Sequence, residues 1–333
     1  MRWPMNSTSK NSTSVNPTIA AMDVTKRYDG EHGVSNLTFD VPAGHILGLI
    51  GPSGSGKTTT VRLLAGLLTR DSGTLEVLGR DPDAFDDDIR SRIGYLPQST
   101  LLYPTLGLQE NLEFVASLYG FSKAERRRRA IHMLETVDLA ANRHMRLDRA
   151  SGGMSRRLGL AAALLHDPTV VFLDEPTAGL DPILRREVWR RFHEMRDQGR
   201  TLIITTQYVG EASYCDGITL LAEGEIVASG TPESLRSRAF GGELVDVVFT
   251  TTPSWTVMQS LREAVAATDV LTTGPRSIRL VVADAGTTIP TISTVSLEHG
   301  VEVLEAERFT PDFDDVFVRL VARRVPALTG AET

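Results

Sequence analysis

Hydrophobic positions along this chain follow two periods in turn. Short runs at His45-Ile46-Leu47-Gly48-Leu49-Ile50, Val170-Val171-Phe172-Leu173, Thr201–Thr205 and Gly217–Ala222 have little or no polar face. That is the pattern of strands buried on both sides in a parallel sheet. Between them lie segments with helical spacing, including Thr59–Leu68 and Ile183–Gln198. The alternation predicts an α/β domain. Upstream, Ala20–Thr25 and Leu37–Val41 read as strands, with turns at Asp29-Gly30 and Pro42-Ala43-Gly44. Strand character is missing from about 100 to 150, where Leu108–Tyr119 and Ala124–Val137 have helical spacing. A helical insertion, about 99–158, is therefore expected between two sheet-forming halves. After residue 240 the pattern changes again. Strands at Leu244–Thr250, Val270–Thr273, Ile278–Ala283 and Val301–Phe309 are interleaved with helices at Trp255–Ala266 and Thr288–Glu298, and Asp314–Val321 reads as a last helix. The order β-α-β-β-α-β predicts a small α+β domain of the ferredoxin-like kind. The expected organisation is a polar tail (1–17), a main domain (18–240), an accessory domain (241–325) and a short tail (326–333).

Composition narrows the classes. With 333 residues and 41% hydrophobic content the chain can bury substantial cores. A net charge of −7 argues against nucleic acid as the main partner. Cys215 is the only cysteine, which fits a reducing compartment and leaves no internal disulfide. No apolar run approaches the roughly 18 residues of a spanning helix, and no apolar segment follows Met1 as a secretory signal requires. A soluble, cytoplasmic protein is expected. The cluster Arg126–Arg129 reads as a solvated helix surface.

Two motifs carry chemistry. Gly51-Pro52-Ser53-Gly54-Ser55-Gly56-Lys57-Thr58 fits G-x-x-x-x-G-K-[ST] without mismatch, between an apolar strand and a helix that includes Thr59. The glycines let successive N–H groups turn inward onto phosphate, and the helix N-terminus adds positive potential. Lys57 is placed to reach the β- and γ-phosphates and Thr58 to ligate Mg²⁺. The second motif is Asp174-Glu175, at the end of a fully apolar strand. Carboxylates at the C-terminal edge of an open α/β sheet lie beside the phosphate loop. Asp174 can hold Mg²⁺ through its water shell, and Glu175 can orient and deprotonate an attacking water.

A third segment, Ser151-Gly152-Gly153-Met154, lies between these two in the sequence. With it the order of motifs over about 19–238 resembles the ATP-binding subunits of ABC transporters. The resemblance implies a P-loop NTPase of the ABC ATPase type with a helical subdomain, binding ATP and Mg²⁺. It implies that Tyr28 stacks on adenine and that Gln98 touches Mg²⁺ and the water. It implies that Ser151, Gly152, Gly153 and Met154 form the signature that binds the γ-phosphate of ATP held by the opposite subunit. Asp181, in Ala178-Gly179-Leu180-Asp181, would cross the dimer interface. The resemblance further implies a homodimer working with a separate multi-span permease, peripheral on the inner face of the membrane.

The chain departs from the family pattern at one position of consequence. Where the family has a histidine after two threonines, this chain reads Thr205-Thr206-Gln207-Tyr208. Glutamine donates a hydrogen bond but carries no proton or charge. Either the site is degenerate, or the subfamily works with glutamine, and the intact remaining motifs favour the second. The Gln-Tyr pair resembles drug-export ATPases of the daunorubicin-resistance type. Phe309–Leu320 resembles the ending of type-2 exporter ATPases, with Phe313 for the usual leucine. The expected function is ATP hydrolysis driving export of a drug-like or lipid-like cargo. The competing readings are a soluble ABC ATPase acting on a macromolecular complex, and an unrelated P-loop kinase or GTPase. Neither tandem cassettes nor a guanine motif is present in the sequence.

Overall fold

The computed structural model describes residues 17–28, 32–99 and 101–324. The expected tails, apart from Pro17, and the turn at Asp29-Gly30 lie outside the described residues. The chain divides into two compact units between Gly230 and Thr231.

The first unit opens with β1 (Ile19–Tyr28) and β2 (His32–Val41), followed by β3 (Ile46–Ile50), α1 (Lys57–Leu64) and β4 (Ser72–Val77). After α2 (Asp87–Ser91) and β5 (Ile93–Leu96) come the helices α3 (Leu108–Leu118), α4 (Lys123–Thr136) and α5 (Gly152–Leu164). The unit closes with β6 (Val170–Asp174), α6 (Pro182–Asp197), β7 (Thr201–Thr206), β8 (Gly217–Ala222) and β9 (Glu225–Gly230). Strands order as β5-β6-β7-β3-β8-β9 in the main sheet, which is parallel except for β9. An antiparallel sheet, β2-β1-β4, forms a second layer. Every residue of β3, β6 and β7 is buried, which is why these strands show no alternating polar face, their polar members being the terminal Asp174 and the threonines of β7. Val61, Leu63 and Leu64 of α1 share one core with Leu37, Phe39 and Leu75 of the antiparallel sheet and Leu47, Leu49, Phe172 and Ile203 of the parallel one. The α1 helix is therefore held from two layers, and the loop that precedes it is held with it.

The expected helix Thr59–Leu68 starts and ends earlier. It begins at Lys57, inside the phosphate loop, and stops before Gly66, whose φ of +66° breaks the helical path. The helical insertion has its own core, with Leu108, Leu112 and Ala116 of α3 at i, i+4 spacing against Ala130, Leu134, Leu158 and Ala161. The arginine cluster is more than a solvated face. Arg126 Nε donates to Phe121 O, and Arg129 lies over the Phe121 ring and donates to Leu165 O at 3.0 Å.

The second unit contains α7 (Pro232–Phe240), β10 (Glu243–Phe249), α8 (Trp255–Ala264), β11 (Asp269–Gly274), β12 (Ser277–Val282), α9 (Ala285–Glu298), β13 (Val303–Phe309) and α10 (Phe313–Arg324). Its antiparallel sheet has the order β11-β12-β10-β13, with the elements from β10 to β13 in the β-α-β-β-α-β sequence. The expected boundary near 240 falls after α7, whereas α7 packs on β10 and α10 and so belongs to this unit. Phe313 is buried beneath the Arg236 guanidinium, so the aromatic at this position serves as an apolar anchor for α10. No helix among the described residues is long and apolar enough to cross a membrane.

Candidate nucleotide-binding site

The site lies in the first unit, where parallel neighbouring strands end side by side. β3 runs into Gly51–Thr58, and Gly56 caps α1 with φ +98°. A Cβ there would sit 2.4 Å from Val34 Cγ1, so both backbone and space demand glycine. No acidic side chain occupies the first turn of α1, which leaves its N-terminal potential free for an anion. Lys57 is 5% exposed, and its Nζ donates to Gly51 O (2.8 Å) and Pro52 O (2.9 Å). Burial pushes its pKa below the ordinary value, and the nearby Glu175 and Asp174 charges oppose that. The Ser55 hydroxyl is buried in the loop without a hydrogen-bond partner, while Pro52, Ser53 and Gly54 are exposed. Thr59 follows on α1, half-buried.

Asp174 ends β6 and is fully buried. Its Oδ1 accepts from Thr205 Oγ1 (2.6 Å) and Thr58 Oγ1 (3.2 Å), and its Oδ2 is buried with no partner. Glu175 takes φ 52°, a left-handed conformation that costs a non-glycine residue about 1–2 kcal/mol. Its backbone N–H donates to Thr205 Oγ1 at 2.9 Å. Its carboxylate is held from both sides. Gln98, just beyond β5, donates through Nε2 to Oε2 (3.2 Å), and Gln207, just beyond β7, donates through Nε2 to Oε1 (2.5 Å). The strand order β5-β6-β7 brings these three residues together from positions far apart in sequence. Among the predicted residues, Lys57, Thr58, Gln98, Asp174, Glu175 and Gln207 thus form one connected constellation.

The other predicted residues lie outside it. Tyr28 is the last residue of β1 and 39% exposed. Ser151 is exposed and caps α5, its Oγ accepting from Met154 N at 3.2 Å. A Cβ on Gly152 would meet nothing within 4 Å, and one on Gly153 only Leu180 Cδ2 at 3.8 Å. The fold around them does not require glycine at either position. Among the described residues no side-chain hydrogen bond joins Ser151–Met154 to Gly51–Thr58. Asp181 caps α6, accepting from Ile183 N and Leu184 N at 3.0 Å each. The Leu184 N–H, with further help from Ile183, holds its carboxyl below the usual range.

Sequence reading missed two residues here. Thr205 bridges both carboxylate positions because the β6–β7 register sets it opposite Asp174, a pairing no local sequence pattern announces. Arg156 had no sequence signal beyond its place near the start of a helix. Arg156 is 8% exposed, and its guanidinium donates to four backbone carbonyls of two other segments.

A glycine-lined loop leading into a helix, a buried lysine and a carboxylate pair at the end of β6, one strand removed from β3 in the same sheet, mark the fold of the P-loop nucleoside triphosphatases. Residues 34–178 match the family described as ABC transporter. The daunorubicin resistance ATP-binding protein DrrA3 of Streptomyces coeruleorubidus is 36% identical over 303 residues, covering 90% of this chain and 95% of that protein. The probable multidrug ABC transporter ATP-binding protein YbhF of Escherichia coli is 37% identical over 228 residues, covering 68% of this chain and 39% of YbhF, so the chain spans well under half of that protein's length. The ATP-binding cassette MJ0796, solved as a post-hydrolysis dimer bound to ADP and Pi, superposes with a TM-score of 0.60 at 27% identity, covering 64% of this chain and 98% of that one. The chain belongs to the ATP-binding proteins of the ABC transporter family.

Proposed function

We propose that this protein is the ATP-hydrolysing subunit of an ABC exporter for drug-like or lipid-like molecules, acting as a head-to-tail homodimer beneath a separate multi-span permease on the inner face of the membrane. The observation that carries the reading is the Glu175 carboxylate, fixed by Gln98 and Gln207 beside Lys57 and Asp174. An intact base, held from both sides, argues for a working site despite the missing histidine.

In this mechanism Lys57 holds the β- and γ-phosphates of ATP within the amide-lined loop, and Tyr28 stacks on adenine. The buried, unpartnered Oδ2 of Asp174 and the hydroxyl of Thr58 are hard oxygen donors that suit Mg²⁺, with Gln98 nearby. The ion would neutralise charge on the phosphates. Glu175 accepts the proton of the attacking water, and the two glutamine amides keep its carboxylate aimed. Ser151, Gly152, Gly153 and Met154 receive the γ-phosphate bound by the partner chain, and Asp181 lies at the shared interface. The open space over Gly152 and Gly153 supports that role. Leu101, Tyr103, Phe114 and Leu118 are exposed apolar side chains of the helical insertion and the segment leading to it, and support docking of a permease helix there. The drug-like cargo follows the names of the two sequence relatives above, and the lipid-like alternative follows the resemblance to type-2 exporters. Replacing Glu175→Gln should lower kcat by about 10²–10⁴ with ATP affinity retained. Undiminished hydrolysis would remove Glu175 from the mechanism.

A further inference from the structure

The same helix that begins with Ser151-Gly152-Gly153 also carries a buried cation that reaches the catalytic residues of its own chain. Arg156 lies in the second turn of α5. Its Nη1 donates to Pro97 O (2.8 Å) and Gln98 O (2.9 Å), and its Nη2 donates to Glu175 O (2.6 Å) and to Asp174 O. One guanidinium edge thus holds the segment beyond β5, and the other the end of β6. The spacing of the Gln98 amide from the Glu175 carboxylate, 3.2 Å, is set across this fork. Only a planar group with donors on two arms can span the two segments at once, which lysine cannot do. The residue is 8% exposed and burial desolvates its charge, and four carbonyls and the adjacent Asp174 and Glu175 charges offset that cost.

Nothing about α5 itself needs this arrangement. Arg157, the next residue, already ties the helix to the insertion by donating to Val137 O (3.0 Å) and Asp138 O (3.1 Å). Arg156 instead points to the catalytic end of the sheet. We propose that Arg156 is a positioning residue that makes the water-activating pair Gln98–Glu175 of one chain respond to the ATP that the same chain's Ser151–Gly153 segment contacts on its partner. The proposal rests on the dimer reading above. A nucleotide phosphate landing on the start of α5 moves or stiffens that helix. The fork passes this to the backbone of Gln98 and Glu175, and the carboxylate reaches its working angle. Each site therefore turns over about tenfold faster when its chain has engaged the nucleotide of the other site.

The test uses Arg156→Lys and Arg156→Met in the full chain, alone and combined with Glu175→Gln. Melting curves establish folding, fluorescent ATP analogue titration gives affinity, and light scattering gives the ATP-bound dimer in the Glu175→Gln background. The expected result is a kcat lowered about tenfold or more, least in Arg156→Lys, with KM and analogue affinity within about threefold of the parent. The double variants should still dimerise on ATP, because the contact is made but not transmitted. A kcat within twofold of the parent in a folded Arg156→Met variant overturns the proposal. So does a fall in affinity and melting temperature that tracks the fall in kcat, which marks a merely structural residue. Failure of Glu175→Gln itself to dimerise on ATP removes the dimer reading, and this proposal with it.

Discussion

Thr205 offers the sharpest perturbation of the site because a single hydroxyl touches both carboxylate residues. It donates to Asp174 Oδ1 at 2.6 Å and accepts from Glu175 N at 2.9 Å, and it is fully buried. Valine keeps the shape of the side chain and removes both bonds. A hydrogen bond to a charged group contributes about 1.5–3 kcal/mol and a neutral one about 0.5–1.5 kcal/mol. Two existing contacts soften the loss, since Thr58 Oγ1 still reaches Asp174 Oδ1 and the Thr205 carbonyl still accepts from Glu175 N at 3.2 Å. The net expectation for Thr205→Val is about 2–3 kcal/mol of lost stability. Urea unfolding followed through Trp189, which is 1% exposed in the first unit, reads this directly. Turnover should fall about tenfold or more as the Glu175 backbone loosens. Thr205→Ser, which keeps the hydroxyl, should recover most of both losses. A Thr205→Val protein within 0.5 kcal/mol of the parent in stability and with unchanged kcat would refute the reasoning, since roughly that margin covers ordinary neutral substitutions.

Gln207→Ala should lower kcat by about tenfold or more with little change in KM, because only one of the two donors to Glu175 is lost; steady-state kinetics decide it, and an unchanged kcat would make the side chain dispensable. Gly152→Ala and Gly153→Ala should leave melting unchanged or raise stability by up to about 1 kcal/mol, since both sit in a helix with open space beside them, yet cut ATPase activity sharply. Destabilisation in those variants would mean the glycines serve the chain's own packing. Burial holds the His166 imidazole, bonded to Ile93 O and stacked on Tyr119, below its ordinary pKa of 6.5. As pH falls below 6.5 the unfolded chain gains this proton before the folded one, so stability present above that pH is lost progressively down through the folded pKa. His166→Phe, which keeps a ring against Tyr119, should flatten this slope in unfolding curves taken from neutral to acid pH; an unaltered slope would show that other groups cause it.

Much of the fold was legible because the buried strands are uniformly apolar. The runs ending at Ile50 and Leu173 announced strands hidden on both faces, and the helical insertion showed itself through the loss of that pattern. Boundaries were less legible where one glycine decides them. The helix after the phosphate loop ends before Gly66, although apolar spacing continues to Leu68. The accessory unit begins before α7 because the contacts of that helix, and not its composition, assign it. At the site, the phosphate loop and the acidic pair carried their own spacing. Gln98 and Gln207 drew attention through family resemblance, but their joint grip on one carboxylate depends on strand order, which no local pattern encodes. Thr205 and Arg156 act through bonds to residues far off in sequence, so spacing gave no sign of them.

The central claim is that each catalytic site is built from two chains. It is tested most directly by mixing two inactive variants, Glu175→Gln and Gly153→Asp. The first keeps an intact Ser151–Gly153 segment and the second an intact base. If the segment acts on the partner's nucleotide, a mixed dimer holds one complete site. Half the dimers are then mixed and each has one complete site of two, so turnover rises above that of either variant alone, to a ceiling of about a quarter of wild type and about tenfold below that ceiling where Arg156 couples the sites, because the chain with the intact base carries the altered segment. If each chain completes its own site, the mixture stays as inactive as its parts, and the account is contradicted.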